Sequence, residues 1–411
     1  MTSGVQEFIE TTTRAIVDPD RLIHALGPAR AATLNDGLCG TALTLAVLSD
    51  ADPALAHAVG RHWDAAARLL KGSTPDGIYR GPGALAASLI LGNPYLPAAH
   101  RRDTDVENAV GWLSARATGL ASHQRDRLQR GDQGTPWAVY DAIKGLAGIG
   151  RLLLAADQTG HHDAAEPGIN AALTTLSSMI VAPPLPYPGW WLPTHEHHLR
   201  TVTPIPASGA ATTGLAHGIA GPLAFLAVAA IHGHTVHGQS EAITIAASWL
   251  LNWRNGEGSW APHISGTALR RPNAKPSAKR ARHGSWCYGN AGIGNALIHA
   301  GAAVEEPRFA RSGYDALGAI ARKPVGQWQT AGSGICHGTA GVLLVAQTHD
   351  HAGLAHQAHR ATTALLVNPD RALPDAGPGL LTGRAGTALT LGKADHKGSE
   401  SFFWTALLLL R

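Results

Sequence analysis

Cysteine is scarce in this chain. Its 411 residues include only three, Cys39, Cys287 and Cys336. So few thiols in a chain of this length cannot form a disulfide framework, and the sequence therefore favours a reducing compartment. Each conspicuous cysteine is instead a candidate metal ligand or catalytic group.

Long hydrophobic runs are also missing. The longest one, near Ile219–Ile231, contains Gly221 and Pro222 and is shorter than the roughly 20 residues that a membrane helix needs. The N-terminal segment has neither the basic stretch nor the apolar stretch of a secretory signal. These absences predict a soluble, cytoplasmic protein with no membrane span.

Charge of one sign is not in large excess. Charged residues make up 15% of the chain, and the formal net charge is +4 at pH 7. The positive charge is concentrated in the segment 270–282, which contains lysines and arginines but no acidic residue. This distribution is not typical of a nucleic-acid-binding protein.

Apolar residues and glycine are abundant instead. Hydrophobic residues make up 45% of the chain, which also has 48 glycines and 25 prolines. This composition supports a large folded core and excludes a disordered, collagen-like or fibrous protein. Length alone suggests two or three domains, but internal repetition favours a single domain over 1–411.

A short glycine-rich turn followed by an apolar helical run recurs seven times. Glycine suits such a turn because it accepts positive φ and lets the backbone approach a neighbour closely. Each interval between turns holds about two helices with their loops. The repeat predicts an all-α fold, an α/α toroid of seven inner and seven outer helices, whereas the alternative is an alanine-rich bundle whose glycines are unrelated C-caps. The turns lie near 37–40, 80–83, 145–148, 218–221, 289–292, 338–341 and 383–386.

Alignment of the turns reveals two positions of chemical interest. If equivalent turns share one rim, the residues just before them converge on its centre, and all seven are polar: Asp36, Tyr79, Lys144, His217, Tyr288, His337 and Thr382. One position earlier, consecutive copies hold Cys287 and Cys336, the second beside His337. Two thiolates and an imidazole are a typical zinc set with a fourth position open for catalysis. The alternative is two buried structural cysteines and a hydrogen-bonded core histidine.

Three of the turns carry motifs that resemble those of the lanthipeptide cyclases, the C-type lanthionine synthetases. The motifs are Trp286-Cys-Tyr-Gly289, Ile335-Cys-His-Gly338 and Leu215-Ala-His-Gly218, and the resemblance extends over all seven turns. It implies a zinc-bearing α/α toroid that acts as a stand-alone cyclase and forms thioether rings in a dehydrated precursor peptide.

The resemblance also implies roles for individual residues. The matching zinc ligands are Cys287, Cys336 and His337. The family's acid/base histidine matches His217, and its catalytic aspartate matches Asp141.

The surroundings of these residues are predicted less directly. Tyr288 and Trp286 are expected to shape the substrate pocket. Some family members carry arginine four residues before the first zinc cysteine, where this chain has His283 beside Arg282, and either residue is a candidate for that role. Some members also insert a small β-rich domain. The interval 84–140 is the nearest candidate here, but 105–113 reads as a helix, so no second domain is assigned.

The chemistry expected of such a site has two proton-dependent parts. Only a thiolate attacks, and zinc favours deprotonation of a bound thiol. Attack on a dehydroalanine or dehydrobutyrine produces an enolate that needs a proton at the α-carbon. His217 is the expected donor because imidazole titrates near neutral pH, and Asp141 is expected to orient or charge a neighbouring group.

The expected partner is a dehydrated precursor peptide with leader and core, and a dehydratase is a candidate second partner. The basic segment is a candidate contact for acidic leader residues, and the alternative is a solvated or disordered link.

Two other functions remain open. One is zinc-dependent transfer of another thiol, such as glutathione, to an electrophile. The other is a non-catalytic, zinc-stabilised scaffold that binds peptides.

Overall fold

The computed structural model describes residues 3–49, 52–182, 186–197, 204–271, 284–367, 377–394 and 400–410. These residues are mostly helical. The α-helices are α1 (Ser3–Ile16), α2 (Pro19–Leu26), α3 (Pro28–Ala31), α4 (Leu38–Leu48), α5 (Leu55–Leu70), α6 (Pro82–Gly92), α7 (Asp103–Gln129), α8 (Trp137–Tyr140), α9 (Leu146–Gln158), α10 (His162–Val181), α11 (Ala220–Ile231), α12 (Gln239–Asn252), α13 (Gly266–Leu269), α14 (Asn290–Ala303), α15 (Pro307–Ala321), α16 (Thr339–Thr348), α17 (Ala352–Val367) and α18 (Arg384–Lys393).

Every glycine turn identified in the sequence leads into a helix. The helices that begin within the turns are α4, α6, α9, α11, α14, α16 and α18. In α4 all residues are buried, which agrees with its uncharged, apolar sequence. The next helix, α5, buries one face and places charged residues such as Arg61 on the other. The two kinds of helix therefore differ in sequence because one is surrounded by protein and the other meets solvent.

Close backbone approach, and not positive φ, explains the last glycine of these turns. A Cβ at this position would lie under 3.0 Å from the carbonyl oxygen six residues earlier in the chain. Among the described residues, Gly81 in the turn near 80–83 has a positive φ of 63°, whereas the glycines that open or close the turns do not. The expectation of positive φ therefore holds at Gly81, and crowding selects glycine at the closing positions. The closing glycines that show this contact are Gly40, Gly83, Gly221, Gly292 and Gly386.

The chain divides into two compact units. The first comprises Met1–Ser114, Leu152–Glu166 and Thr330–Arg411. Within it α4 packs against α5, α6 and α18, α1 packs against α18, and α16 packs against α17. The expectation of a single domain over 1–411 remains a prediction.

The second unit comprises Ala115–Arg151 and Pro167–Gln329. Within it α11 packs against α12 and α14, and α14 packs against α15. It also contains a small antiparallel sheet in the order β1 (Trp191–Leu192), β2 (Ala210–Thr212) and β3 (His263–Ser265). Strands of two or three residues are too short to show an alternating pattern in the sequence.

The sheet fixes two segments that flank the glycine turn at 218–221. In β1 and β2, Leu192 pairs with Ala210, and in β2 and β3, Thr212 pairs with His263. Because β2 runs directly into this turn, the sheet anchors the polypeptide just before His217. The interval 84–140, considered above as an insertion, contains α7 and α8 and is helical over Asp103–Gln129. Over the described ranges, no helix has both the length and the apolar character needed to cross a membrane.

Candidate active site

Backbone hydrogen bonds hold neighbouring glycine turns in register. In the second unit, the amide of Ala142 donates to Ala216 O (3.1 Å), and the amide of Ala216 donates to Cys287 O (3.0 Å). In the first unit, the amide of Cys336 donates to Leu381 O (2.9 Å), and the amide of Leu381 donates to Asn35 O (3.2 Å). Because each bond joins equivalent or adjacent positions of two copies, residues far apart in sequence become neighbours.

His217 and Asp141 form a hydrogen-bonded pair on two of these neighbouring turns. His217 Nδ1 lies 2.5 Å from Asp141 Oδ2. The Asp141 side chain is fully buried, whereas that of His217 is 20% exposed. An ionised carboxylate can only accept hydrogen bonds, so Nδ1 carries the proton and Nε2 is the nitrogen left for chemistry.

The second oxygen of Asp141 holds the carboxylate in place. Asp141 Oδ1 accepts hydrogen bonds from the amides of Ile143 (2.9 Å), Lys144 (2.6 Å) and Gly145 (3.1 Å). A buried carboxylate without partners would be strongly destabilising, and these bonds offset that penalty. Asp141 therefore closes the loop that leads into α9 while it orients His217.

The short helix α8 supplies two further contacts with His217. Tyr140 donates its hydroxyl hydrogen to His217 O at 3.0 Å. Burial, and then the nearby charge of Asp141, raises the pKa of Tyr140 well above its ordinary value, so the phenol remains a neutral donor. The indole ring of Trp137 stacks on the imidazole of His217, with ring centroids 4.7 Å apart and planes 16° from parallel.

Tyr288 lies between two histidines. Its ring centroid is 6.3 Å from that of His217 and 6.3 Å from that of His263. His263 Nδ1 is in turn 3.2 Å from the hydroxyl oxygen of Thr212. Tyr288 is 8% exposed and Trp286 is fully buried. The pocket-shaping roles expected of Tyr288 and Trp286 remain predictions.

The predicted zinc ligands come together. Cys336 Sγ lies 4.0 Å from His337 Nε2, and Cys287 completes a group whose ligand atoms all lie within 4.8 Å of one another. Ligands bound tetrahedrally at ~2.3 Å would have atoms about 3.8 Å apart, so a small contraction suffices to hold zinc. Two sulfurs and one imidazole are also the donor types that suit this ion. Cys287 is buried, whereas the other two are partly exposed, which leaves the group open to an incoming thiol.

The third cysteine has a different environment. Cys39 is fully buried in α4, and burial raises the pKa of its thiol to about 12. Its sulfur lies 3.6 Å from Ala32 O. A thiol held in its protonated form is neither a nucleophile nor a ligand, which agrees with its omission from the predicted site.

Two predicted residues cannot be placed, and two residues near His217 and Tyr288 were not predicted. Arg282 and His283, the candidates for the family's basic residue, lie outside the described residues. Trp137 and His263 were not predicted. Trp137 stands four residues before Asp141, and this closeness in the sequence could have indicated that Trp137 lies near the site. His263 lies on a three-residue strand and carries no local signal.

Comparison with known proteins identifies the family. Residues 28–409 match the family described as lanthionine synthetase C-like protein. The nisin biosynthesis protein NisC of Lactococcus lactis subsp. lactis is 24% identical over 280 residues, which cover 66% of this chain and 64% of that protein. The match therefore spans less than two thirds of the relative's length.

A solved structure supplies the fold. The structure named nisin cyclase aligns with a TM-score of 0.77 and 19% identity, covering 99% of this chain and 96% of the other. This likeness confirms the predicted all-α fold of the toroid class. Because the family match spans nearly the whole sequence, the chain belongs to the lanthionine synthetase C-like family.

Proposed function

We propose that this chain is a zinc-dependent lanthipeptide cyclase. Its substrate would be a dehydrated precursor peptide, in which it joins a cysteine to a dehydroalanine or dehydrobutyrine to form a lanthionine or methyllanthionine ring. The observation that carries the proposal is the Cys287, Cys336 and His337 group in a member of this family. The substrate requires prior loss of water from serine or threonine, so a dehydratase is the class of enzyme that must act first.

Cys287, Cys336 and His337 would hold the zinc ion. When bound, zinc lowers the pKa of a substrate thiol and so supplies a thiolate at neutral pH. Cys336 and His337 are partly exposed, so a peptide cysteine can approach the group.

The reaction is an addition in which all atoms are conserved. The substrate sulfur forms a bond to the β-carbon, the π electrons of the alkene move toward the adjacent carbonyl, and an enolate results. The thiol proton is released and one proton is added at the α-carbon, so no further reactant is needed. We assign the addition of that proton to Nε2 of His217, because its other nitrogen is engaged by Asp141.

Asp141 fixes which nitrogen of His217 carries the exchangeable proton. Its carboxylate holds Nδ1–H, and its negative charge stabilises the imidazolium that donates to the enolate. The backbone amides of the following loop hold the carboxylate itself. The pair is thus arranged in advance of the reaction and needs little movement to transfer a proton.

A synthetic peptide with one dehydroalanine and one cysteine tests the proposal. Ring closure does not change the mass, so alkylation of remaining thiols followed by mass spectrometry measures cyclisation. We expect the zinc-loaded protein to consume the thiol faster than buffer alone. Addition of free glutathione to the peptide without ring closure would favour the alternative thiol transfer, and binding without either reaction would favour a scaffold.

Three variants separate the parts of the site. Cys336→Ala should lose both zinc, measured by elemental analysis, and cyclisation. His217→Ala should keep zinc while cyclisation slows by about 10²- to 10⁴-fold, the range typical of a general acid. The matched control is Cys39→Ala, which removes a buried cysteine outside the group and should retain both zinc and activity. An unchanged rate in His217→Ala would reject its assigned role.

A further inference from the structure

Trp137 is held rigidly against the imidazole of His217. It is 2% exposed, and one face of its indole stacks on His217 with a centroid distance of 4.7 Å. His197 contacts the same indole in an edge arrangement at 5.3 Å and 88°. His197 is itself fully buried, and its Nε2 lies 3.2 Å from Leu192 O. Trp137 is therefore fixed by a buried neighbour and cannot turn away from His217.

One helical turn carries this ring together with two other groups that contact His217. The amide of Asp141 donates to Trp137 O at 3.1 Å, which closes the turn of α8. From this turn Trp137 contacts the imidazole face, Tyr140 the backbone carbonyl of His217, and Asp141 its Nδ1. The three contacts approach His217 from different directions and share one rigid segment.

The hydrogen bond that His217 Nδ1 donates to Asp141 does not by itself fix the plane of the imidazole. With Nδ1 bonded to its acceptor, small changes in the side-chain torsions can still tilt the plane of the ring, and Nε2 moves with it. A flat surface stacked on the ring opposes this tilt, because aromatic pairs prefer a defined parallel offset geometry. When the position of Nδ1 and the plane of the ring are both fixed, Nε2 can point in only one direction.

We propose that Trp137 is a positioning residue for cyclisation, which aims Nε2 of His217 at the substrate α-carbon. This inference rests on the proposed function, since it assumes that His217 delivers the proton. Removal of the indole should affect the proton transfer more than substrate binding. A misplacement of about 1 Å in a reacting group can lower the rate about 100-fold.

The test compares Trp137→Leu and Trp137→Phe with the matched control Trp190→Leu. Trp190 is equally buried in the same unit and makes an edge contact with Trp249, but no contact with His217 is among those that Trp190 makes in the described structure. We expect kcat of Trp137→Leu to fall about 10- to 100-fold with KM within about twofold. Trp137→Phe, which keeps a flat face, should recover most of the activity, and Trp190→Leu should keep kcat despite a similar loss of thermal stability.

NMR of the protein labelled with ¹³C-histidine gives a readout that does not need catalysis. The His217 ring signal, assigned by its loss in His217→Gln, should be shifted upfield by the indole. It should move downfield in Trp137→Leu and stay unchanged in Trp190→Leu. If Trp137→Leu does not fold, Trp137→Met removes the flat face with a longer, more adaptable chain and carries the same expectations.

Two outcomes would overturn the inference. One is equal kcat loss in Trp137→Leu and Trp190→Leu, which would make the indole a general part of the core. The other is an unchanged His217 signal in folded Trp137→Leu or Trp137→Met. If the wild-type protein shows the shifted signal but closes no ring, the proposed function fails while the contact between Trp137 and His217 stands.

Discussion

Asp141 uses its two carboxylate oxygens for different purposes. Oδ2 contacts His217, whereas Oδ1 accepts three amides of the loop that leads into α9. The first contact concerns chemistry and the second concerns local structure. An isosteric substitution can separate the two, because asparagine keeps one oxygen and replaces the other by an amide nitrogen.

Asp141→Asn should keep the fold and lose most of the activity. The amide oxygen can still accept from the loop, but the amide nitrogen then donates toward His217 Nδ1 and forces the imidazole proton onto Nε2. We expect cyclisation to slow by about 10²- to 10⁴-fold, since the nitrogen that should transfer the proton and its stabilising charge are both altered. The alkylation assay gives the rate, and thermal melting gives the stability.

Asp141→Ala is the companion variant. It removes the loop contacts as well, so we expect a further loss of about 1 kcal/mol of stability, as for other lost capping groups. Wild-type rates in Asp141→Asn would show that the tautomer of His217 does not matter for this reaction, and the assignment of Asp141 would then be wrong.

At the scale of the element, the glycine turns allow each buried helix to begin in close contact with the stretch of backbone that precedes it. At Gly221 a Cβ would lie 2.5 Å from Leu215 O, a backbone atom two residues before His217. A backbone oxygen cannot move aside as the end of a flexible side chain can. The glycine therefore sets the distance between α11 and the segment that carries His217.

Gly221→Ala should lower the stability of the protein, whereas Gly119→Ala should leave it unchanged or raise it. Gly119 lies inside α7 with no atom within 4 Å of a built Cβ. Alanine there should be neutral or stabilise by up to about 1 kcal/mol, because glycine has more freedom to lose on folding. Alanine at Gly221 should destabilise by about 1–3 kcal/mol through overpacking.

Chemical denaturation of both variants measures this difference directly. Equal effects of the two substitutions would contradict the close-approach explanation, because both replace a helical glycine by alanine and only the methyl group at position 221 would meet a backbone oxygen.

At the scale of the whole molecule, the two cysteines among the proposed zinc ligands come from turns 49 positions apart in the sequence. A bound metal is therefore expected to contribute to stability as well as to chemistry. A ligand that binds only the folded state stabilises it by an amount that grows with the ratio of its free concentration to Kd. The helices and their buried core nevertheless involve far more of the chain than three side chains.

Zinc removal by a chelator should therefore abolish cyclisation while the protein stays folded. We expect far-UV circular dichroism to be retained and the melting temperature to fall by several degrees. Readdition of zinc should restore ring formation. Global unfolding on chelation would instead indicate that the metal is structural and would favour the scaffold function.

The sequence by itself determined the helical repeat, because apolar runs and regularly placed glycines are local features that any packing of this chain must satisfy. It also determined the candidate ligands Cys287, Cys336 and His337, since aligned repeats put the two cysteines at equivalent positions and His337 beside the second. Asp141 and His217 were chosen through resemblance to the family. Their direct contact was only one of the arrangements that the sequence allowed.

Only the tertiary structure decided which groups touch. Trp137 meets His217, 80 positions later, because the turns that carry them are hydrogen-bonded neighbours. His263 reaches Tyr288 because a three-residue strand pairs with β2. The direction of a side chain depends on the spacing of neighbouring turns and on buried hydrogen bonds. Those quantities arise when the whole chain packs, so no local pattern of residues records them.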